Sequence, residues 1–313
     1  MKNSASGKSH AKVIFLGEHS AVYNKPAIIF PIPQVKVFVT IKKSKINQSI
    51  IHSSYFNGTP NELPAYMDGL KLLIIKLEDN LNSKRIPLDI TIKSEIPLGR
   101  GMGSSAATAT AIIRGYFNFF EKPLNMNTLK TFTDIEENVT HGNPSGIDAE
   151  TVSSMHPILF EAKQFSDFPS KLNGYLVIAD TGISSNTRVA VSKVHDELAN
   201  NKTKILQIID HLGDLVENAK KTISSDDING TGKIMNLAQQ DLKQLKVSSK
   251  EIEKLIKISL QFGAVGAKLT GSGLGGCIIA LTSKEHTAIN IKNALLKNGA
   301  AHVWIQTLQE LNN

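Results

Sequence analysis

The stretch Ile96–Ala111, with the sequence IPLGRGMGSSAATATA, decides the predicted fold. It contains three alternating glycines ahead of a Ser-Ser pair: Gly99, Gly101 and Gly103. Because glycine accepts positive φ and has no Cβ, such a loop can pass close to a ligand, and the alanine-rich helix predicted after it favours an anion at its N-terminus. The stretch therefore predicts a phosphate-binding loop, with Ser104 and Ser105 at N-cap positions and available to a phosphate or to Mg²⁺. The alternative is a capped helix after a flexible loop.

A second motif, EENVTHGNPSGID, spans Glu136–Asp148. A helical segment that carries acids ends there in a tight Gly-Asn-Pro-Ser-Gly turn. Pro144 and the glycines restrict the backbone, so the turn is suited to aiming the carboxylate of Asp148. Phosphoryl transfer needs an anion cradle, a metal ligand and a carboxylate that orients or deprotonates the attacking hydroxyl. The two motifs together supply all three.

Length and composition limit the class of protein. A chain of 313 residues with 41% apolar residues can form two domains with real cores. The net charge of +7 suits an anionic substrate, whereas scattered lysines and only 6% aromatic residues argue against nucleic-acid binding. No apolar run is long enough to span a membrane, and the polar segment Met1–His10 does not resemble a signal peptide. The single cysteine, Cys277, excludes an intramolecular disulfide and predicts a cytoplasmic protein with a small buried thiol.

Hydrophobic periodicity predicts two mixed halves that meet at the polar stretch 163–171, hence domains at 1–170 and 171–313. Strands are predicted near 12–16, 35–41, 88–92, 158–160, 175–179, 265–269, 277–281 and 302–305. Helices are predicted near 63–81, 104–120, 125–140, 187–222, 232–246, 249–262 and 284–298.

Two glycine patterns imitate nucleotide-binding motifs. Gly7-Lys8-Ser9 resembles the end of a P-loop, but the first glycine of that motif and a preceding strand are both missing. Gly271–Gly276 fits G-x-G-x-x-G, yet it leads into a second strand rather than a helix. We therefore predict a turn between two strands, and its glycine content favours close approach to a ligand over a plain hairpin.

Three separated segments resemble, in order and spacing, the motifs of the GHMP small-molecule kinases over almost the whole chain: Lys12–Tyr23, Pro97–Ala107 and Lys268–Gly276. Within that family, Gly17-Glu18-His19 and the turn His141–Asp148 resemble the mevalonate kinases. The resemblance implies two α+β domains, a ribosomal-S5-like N-terminal one and a ferredoxin-like C-terminal one. It also implies a site in the cleft between them.

The resemblance implies a role for individual residues. Asp148 resembles the catalytic aspartate, and Lys12 resembles the lysine that pairs with it. Ser105 and Glu137 resemble the Mg²⁺ ligands. The implied ATP-phosphate cradle comprises Pro97, Gly99, Gly101, Met102, Gly103, Ser104, Ser105 and Ala106. The implied substrate end comprises Glu18, His19, Thr181, Arg188, Gly271 and Ser272.

Each of these residues also has a purely structural interpretation. Asp148 could be a helix N-cap, Lys12 a solvated lysine at a strand end, and Glu137 a surface acid. His19 and His141 could be structural hydrogen-bonding residues, and that interpretation is favoured for His141, which would hold the turn.

The activity that the resemblance implies is Mg²⁺- and ATP-dependent phosphorylation of mevalonate at its 5-hydroxyl, on the route to isoprenoids. The partners would be mevalonate and ATP, and a homodimer is compatible with this activity. One alternative is another kinase of the same fold, acting on phosphomevalonate, galactose or homoserine. A second is a catalytically silent ligand sensor, against which the intact residues argue: Lys12, Ser105, Glu137 and Asp148.

Overall fold

The computed structural model describes residues 1–141 and 146–312, with only the backbone of His141. The chain forms two compact units. Unit 1 comprises Met1–Ala11, Val35–Pro97 and Gly103–Ser153, and unit 2 comprises Lys12–Gln34, Leu98–Met102 and Ser154–Asn313. The predicted domain boundary at residue 170 stays a prediction.

Within its described residues, unit 1 combines a mixed sheet with four α-helices. Its strands are β1 (Ser4–Leu16) and β2 (Ala27–Lys43), which both continue into unit 2, β3 (Ile50–His52), β4 (Asn57–Gly58) and β5 (Leu88–Ser94). Strand β5 pairs antiparallel with β2 and parallel with β3. Its helices are α1 (Asp68–Leu81), α2 (Ser104–Phe119), α3 (Met126–His141) and α4 (Ile147–Ser153). Helix α2 is apolar on nearly every face, so it is buried at the centre of the unit.

Unit 2 contains a hairpin of β6 (Ile158–Glu161) and β7 (Gln164–Asp167) and a separate four-stranded sheet. The sheet consists of β8 (Tyr175–Asp180), β9 (Gly266–Thr270), β10 (Cys277–Thr282) and β11 (His302–Thr307). The helices are α5 (Thr187–Asn200), α6 (Lys202–Ser224), α7 (Ile228–Gln244), α8 (Lys250–Gln261) and α9 (Glu285–Lys297). The order β11-β8-β10-β9, antiparallel throughout and with helices after β8 and β10, is that of a ferredoxin-like domain.

Several predictions from the sequence are confirmed. The α+β class is correct. Gly7 lies inside β1, where an added Cβ would lie 2.0 Å from the carbonyl oxygen of Ala111, so it serves tight packing against α2 and not a P-loop. Strands β9 and β10 are antiparallel neighbours, and Cys277 is a fully buried core residue. Within the described ranges no helix is long and apolar enough to cross a membrane.

Other element boundaries differ from the prediction. The helix predicted from residue 63 begins at Asp68, because two short 3₁₀ turns, Pro60–Glu62 and Ala65–Met67, precede it. The segment predicted as one helix over 187–222 is interrupted at Asn201, whose φ of −148° is not helical. Sequence periodicity did not predict β3, β4, β7 or α4, because such short elements contain too few residues to establish a period.

Candidate active site

The parts of the three motifs that belong to unit 2 contact one another. The backbone N–H of Lys12 donates to the carbonyl oxygen of Met102 at 3.1 Å, which joins the first motif to the glycine loop. The hydroxyl of Thr270 donates to the carbonyl oxygen of Ile14 at 2.9 Å, which joins the third motif to the first. Residues far apart in the chain therefore form one cluster within this unit.

The glycine loop and the turn between β9 and β10 meet through their backbones. A Cβ added to Gly271 would lie 3.0 Å from the Cα of Gly101, and one added to Gly276 would lie 2.9 Å from the carbonyl oxygen of Arg100. Glycine at these positions thus allows two protein segments to approach. These contacts give the turn a structural reason for its glycines besides the predicted approach of a ligand.

The glycine loop has the predicted left-handed backbone, with φ of 65°, 76° and 71° at Gly99, Gly101 and Gly103. Gly103 is itself the N-cap of α2. The prediction that Ser104 and Ser105 are N-caps is therefore wrong, because they occupy the first two helical positions. The first N–H groups of a helix have no partner within it, so the expected anion-binding donors are retained.

An ion pair attaches the glycine loop to the end of β8. The Nε atom of Arg100 lies 2.9 Å from Asp180 Oδ1, and the two side chains are 17% and 2% exposed. Arg100 Nη2 also donates to the carbonyl oxygen of Gly182 at 2.9 Å. Sequence reasoning missed both charged residues; Arg100 lies within the quoted loop, but its partner is distant in the chain.

Lys12 lies inside β1 and is only 3% exposed, so its interpretation as a solvated strand-end lysine is wrong. Nearby, the fully buried Lys268 donates to Glu18 Oε1 and, at 2.7 Å, to the carbonyl oxygen of Leu269. Burial raises the pKa of Glu18, and the positive charges of Lys268 and Lys12 oppose that rise. Lys268 was part of the third motif, yet nothing local to it indicated an ion pair with Glu18.

His19 joins the first motif to the turn between β9 and β10. Its Nε2 lies 2.9 Å from the carbonyl oxygen of Ser272. Since a carbonyl oxygen only accepts, Nε2 carries the proton, and burial lowers the pKa of His19, which favours the neutral ring. The hydroxyls of Ser272 and Ser185 are 2.5 Å apart. His19 thus has a structural hydrogen bond while Nδ1 remains an acceptor.

Two further predicted substrate residues are Thr181, which directly follows β8, and Arg188, which lies in α5. The hydroxyl of Thr181 donates to the carbonyl oxygen of Gly276 at 2.7 Å and accepts from the N–H of Ile183 at 3.2 Å. The single hydroxyl proton of Thr181 is therefore already engaged in a hydrogen bond within the protein. Arg188 lies in the first turn of α5, exposed to solvent.

In unit 1, the hydroxyl of Ser105 is hydrogen-bonded to a glutamate other than Glu137, the acid predicted to bind Mg²⁺ together with Ser105. The Ser105 hydroxyl donates to Glu136 Oε1, and the hydroxyl of Thr140 donates to the same oxygen at 2.6 Å. Glu136 and Glu137 are each 2% exposed, so the interpretation of Glu137 as a surface acid is wrong. No role was assigned to Glu136 from the sequence, because a neighbouring glutamate matched the expected metal ligand.

Asp148 is the second residue of α4 and is partly buried, so it is not an N-cap. It follows Gly146, whose φ is 74°. The rest of the predicted turn, residues 142–145, and the side chain of His141 with its predicted role lie outside the described residues.

Comparisons with known proteins identify the family. The family model of the GHMP kinases N terminal domain matches residues 70–154, and that of GHMP kinases C terminal matches residues 215–301, together more than half of the chain. The fold and the motifs thus define the class as GHMP kinases.

Relatives that match nearly the whole chain identify the family within this class. The mevalonate kinase of Pyrococcus horikoshii is 31% identical over 91% of this chain and 92% of its own length. The crystal structure of mevalonate kinase from methicillin-resistant Staphylococcus aureus MRSA252 is 32% identical, covers 98% of this chain and 99% of its own, and has a TM-score of 0.78. The chain belongs to the mevalonate kinase family. The L. major mevalonate kinase in complex with R-mevalonate, with 22% identity, 98% coverage of each chain and a TM-score of 0.86, shares the fold.

Proposed function

We propose that this protein transfers the γ-phosphoryl group of ATP to the 5-hydroxyl of mevalonate, giving 5-phosphomevalonate and ADP. One observation carries the proposal: buried Lys12 is hydrogen-bonded through its backbone to the glycine loop. A cation beside an anion-binding loop is what phosphoryl transfer requires. Membership of the mevalonate kinase family supports the choice of alcohol.

The residues that would hold Mg²⁺ fit that ion. Ser105 and Glu137 supply hydroxyl and carboxylate oxygens, the hard ligands that Mg²⁺ prefers, and water would complete the coordination. Two buried oxygens of unit 1, Ser104 Oγ and Glu136 Oε2, have no hydrogen-bond partner among the described residues, as expected where a polar ligand binds. When bound, Mg²⁺ would neutralise charge on the phosphate oxygens.

The protein's own groups would act on the alcohol and on the transferred group. Asp148 would orient the 5-hydroxyl and accept its proton. The alcohol oxygen forms a bond to the γ-phosphorus as the bond from that phosphorus to the bridging oxygen breaks, and ADP leaves with the electron pair. Lys12 would stabilise the negative charge as the phosphoryl group moves.

Substrate recognition is proposed for Glu18, His19, Thr181, Arg188, Gly271 and Ser272. The Nδ1 acceptor of neutral His19 suits a substrate hydroxyl, and the exposed guanidinium of Arg188 suits the carboxylate of mevalonate.

We further propose a cytoplasmic location and a domain boundary near residue 170, which separates the two family-model matches. The homodimer stays a prediction.

The direct test of the substrate compares kcat/KM for mevalonate with the values for phosphomevalonate, galactose and homoserine at saturating MgATP. An alcohol that leaves buried polar groups of the site unpaired loses about 1–3 kcal/mol per group, so we expect the competitors to be at least about a hundredfold worse. A higher value for any competitor would reject mevalonate and leave the family intact. Binding of ligand without turnover of any alcohol would favour the silent sensor.

A paired substitution tests the catalytic aspartate. Asp148→Asn keeps the shape of the side chain but removes its charge and basicity, so kcat should fall by about 10²–10⁴ with nucleotide affinity nearly unchanged. Glu150→Gln is the matched control, because Glu150 lies in the same turn of α4. Equal kcat values for the two variants would remove Asp148 from the mechanism.

A further inference from the structure

The roles proposed above leave the buried carboxylate of Glu136 unexplained. One oxygen, Oε1, accepts hydrogen bonds from Ser105 on α2 and from Thr140 one turn along α3. The other oxygen, Oε2, is buried without a hydrogen-bond partner in the described part of the chain. Its only neighbours in these hydrogen bonds are neutral hydroxyls, so its negative charge is not compensated by them.

Helix α1 encloses this carboxylate closely. A Cβ added to Gly69, the second residue of α1, would lie 2.7 Å from Thr140 Oγ1 and 3.2 Å from Glu136 Oε1. Glycine therefore allows α1 to pack directly over the acid, which is only 2% exposed. Burying a carboxylate without a cation is costly, so a positive ligand is expected to complete the cluster.

The direction of the hydrogen bond from Ser105 limits what this serine can do. A hydroxyl has one proton and two lone pairs. The proton of Ser105 is donated to Glu136, which leaves only lone pairs for a ligand. Such an oxygen can bind a cation but cannot donate to a phosphate. Ser104 differs, because its buried Oγ has no partner among the described residues and its proton remains available to a phosphate oxygen.

We propose that Glu136 is a positioning residue for the divalent cation of the metal–nucleotide complex. It accepts the proton of the Ser105 hydroxyl and so holds that hydroxyl with its lone pairs available to the cation. This inference rests on the proposed function only in assuming that a metal–nucleotide complex binds; it does not depend on which alcohol is phosphorylated.

The test measures binding of Mn²⁺ to the protein–ADP complex by the electron paramagnetic resonance signal of free Mn²⁺, with no alcohol present. We expect Glu136→Gln to weaken Mn²⁺ binding by about 10–100-fold, the usual effect of removing a partner that orients a metal ligand. ADP affinity in EDTA should be unchanged. Glu78→Gln is the matched control, because Glu78 is a part-buried carboxylate of the same unit that also accepts from two hydroxyls, those of Tyr116 and Ser49.

A double-mutant cycle separates action through Ser105 from an independent effect. Because Glu136 acts through Ser105, Glu136→Gln should weaken Mn²⁺ binding far less in a Ser105→Ala background than in the parent. Additive losses would overturn the proposal, as would unchanged Mn²⁺ binding by Glu136→Gln. An equal loss of metal-free ADP affinity would show a structural effect and would overturn it too.

A second variant tests the ligand role of Ser105 if Glu136→Gln does not fold. Sulfur ligands favour soft metals, so Ser105→Cys should raise the preference of the ADP complex for Cd²⁺ over Mg²⁺ relative to the parent. An unchanged preference would contradict cation binding by Ser105 and with it the role of Glu136. If the parent fails to phosphorylate mevalonate but gives the expected Mn²⁺ cycle, the proposed substrate falls and this inference stands.

Discussion

Two buried glutamates, Glu18 in unit 2 and Glu136 in unit 1, differ in the groups that stabilise their carboxylates. Each is 2% exposed, and each has one oxygen without a hydrogen-bond partner in the described chain. Glu18 accepts from the ammonium group of Lys268, whereas Glu136 accepts from two neutral hydroxyls. The fold itself completes the first charge pair. The charge of the second glutamate is left for a ligand to compensate.

Removing the cation from the first pair should have the largest effect on stability. Lys268→Met leaves the charge of Glu18 buried and unpaired, which should lower the free energy of unfolding by about 3–5 kcal/mol in chemical denaturation. The control Lys246→Met removes an exposed partner of Glu197 and should cost less than about 1 kcal/mol.

The same variant has a defined pH dependence. Burial raises the pKa of Glu18 above its usual 4.5, so ionisation of Glu18 opposes folding as pH rises through its folded-state pKa. Without Lys268, ionisation of Glu18 opposes folding more strongly. The loss of stability caused by Lys268→Met should therefore shrink as the pH is lowered. A deficit that is independent of pH would show that lost packing, not charge, is responsible.

A smaller effect is expected from packing around the second glutamate. Gly69→Ala places a Cβ 2.7 Å from the backbone oxygen of Glu136, which should destabilise the protein by about 1–3 kcal/mol. The control Gly213→Ala, inside α6, meets only the flexible side chain of Lys25 at 3.0 Å. It should change the free energy of unfolding much less than Gly69→Ala, since alanine favours a helix and this offsets the small movement that Lys25 must make. Equal effects of the two variants would contradict the close approach of α1.

Loss of one buried hydrogen bond between neutral groups should lower the free energy of unfolding by a smaller amount. Thr181→Val removes the hydroxyl bond to Gly276, but the backbone N–H of Thr181 still donates to the same oxygen at 2.9 Å. The expected loss of stability is about 1 kcal/mol. Because Thr181 is proposed to contact the substrate, the KM for mevalonate should rise as well; a change of less than about twofold would remove Thr181 from the substrate site.

The smallest effect concerns His19, which is buried near the Glu18 pair. Burial lowers the pKa of His19 below 6.5, so the unfolded state binds more protons between the two pKa values. Stability should therefore fall as pH falls below about 6.5. His19→Asn suits the left-handed backbone, φ 61°, and should remove this part of the pH dependence. Identical profiles for parent and variant in urea denaturation would contradict a lowered pKa.

Local patterns in the sequence predicted the glycine loop and the α+β class, because alternating glycines and periodic apolar residues act over short distances. The partner of Ser105 was not predictable in this way. Glu136 and Glu137 point about 100° apart around α3, and only packing of α3 on α2 selects which one meets the serine. The ion pair of Glu18 and Lys268 joins residues 250 positions apart, which no local pattern could indicate.

The most direct test of whether a bound cation compensates the buried charge of Glu136 is thermal unfolding of the parent and of Glu136→Gln, with ADP and increasing Mg²⁺. Without Mg²⁺ we expect the variant to be at least as stable as the parent, because it lacks the uncompensated charge. With Mg²⁺ it should gain less stability, by about 1.4 kcal/mol for each tenfold loss of metal affinity, so the two curves should cross. A variant that is less stable at every Mg²⁺ concentration, with the same gain as the parent, would contradict the account.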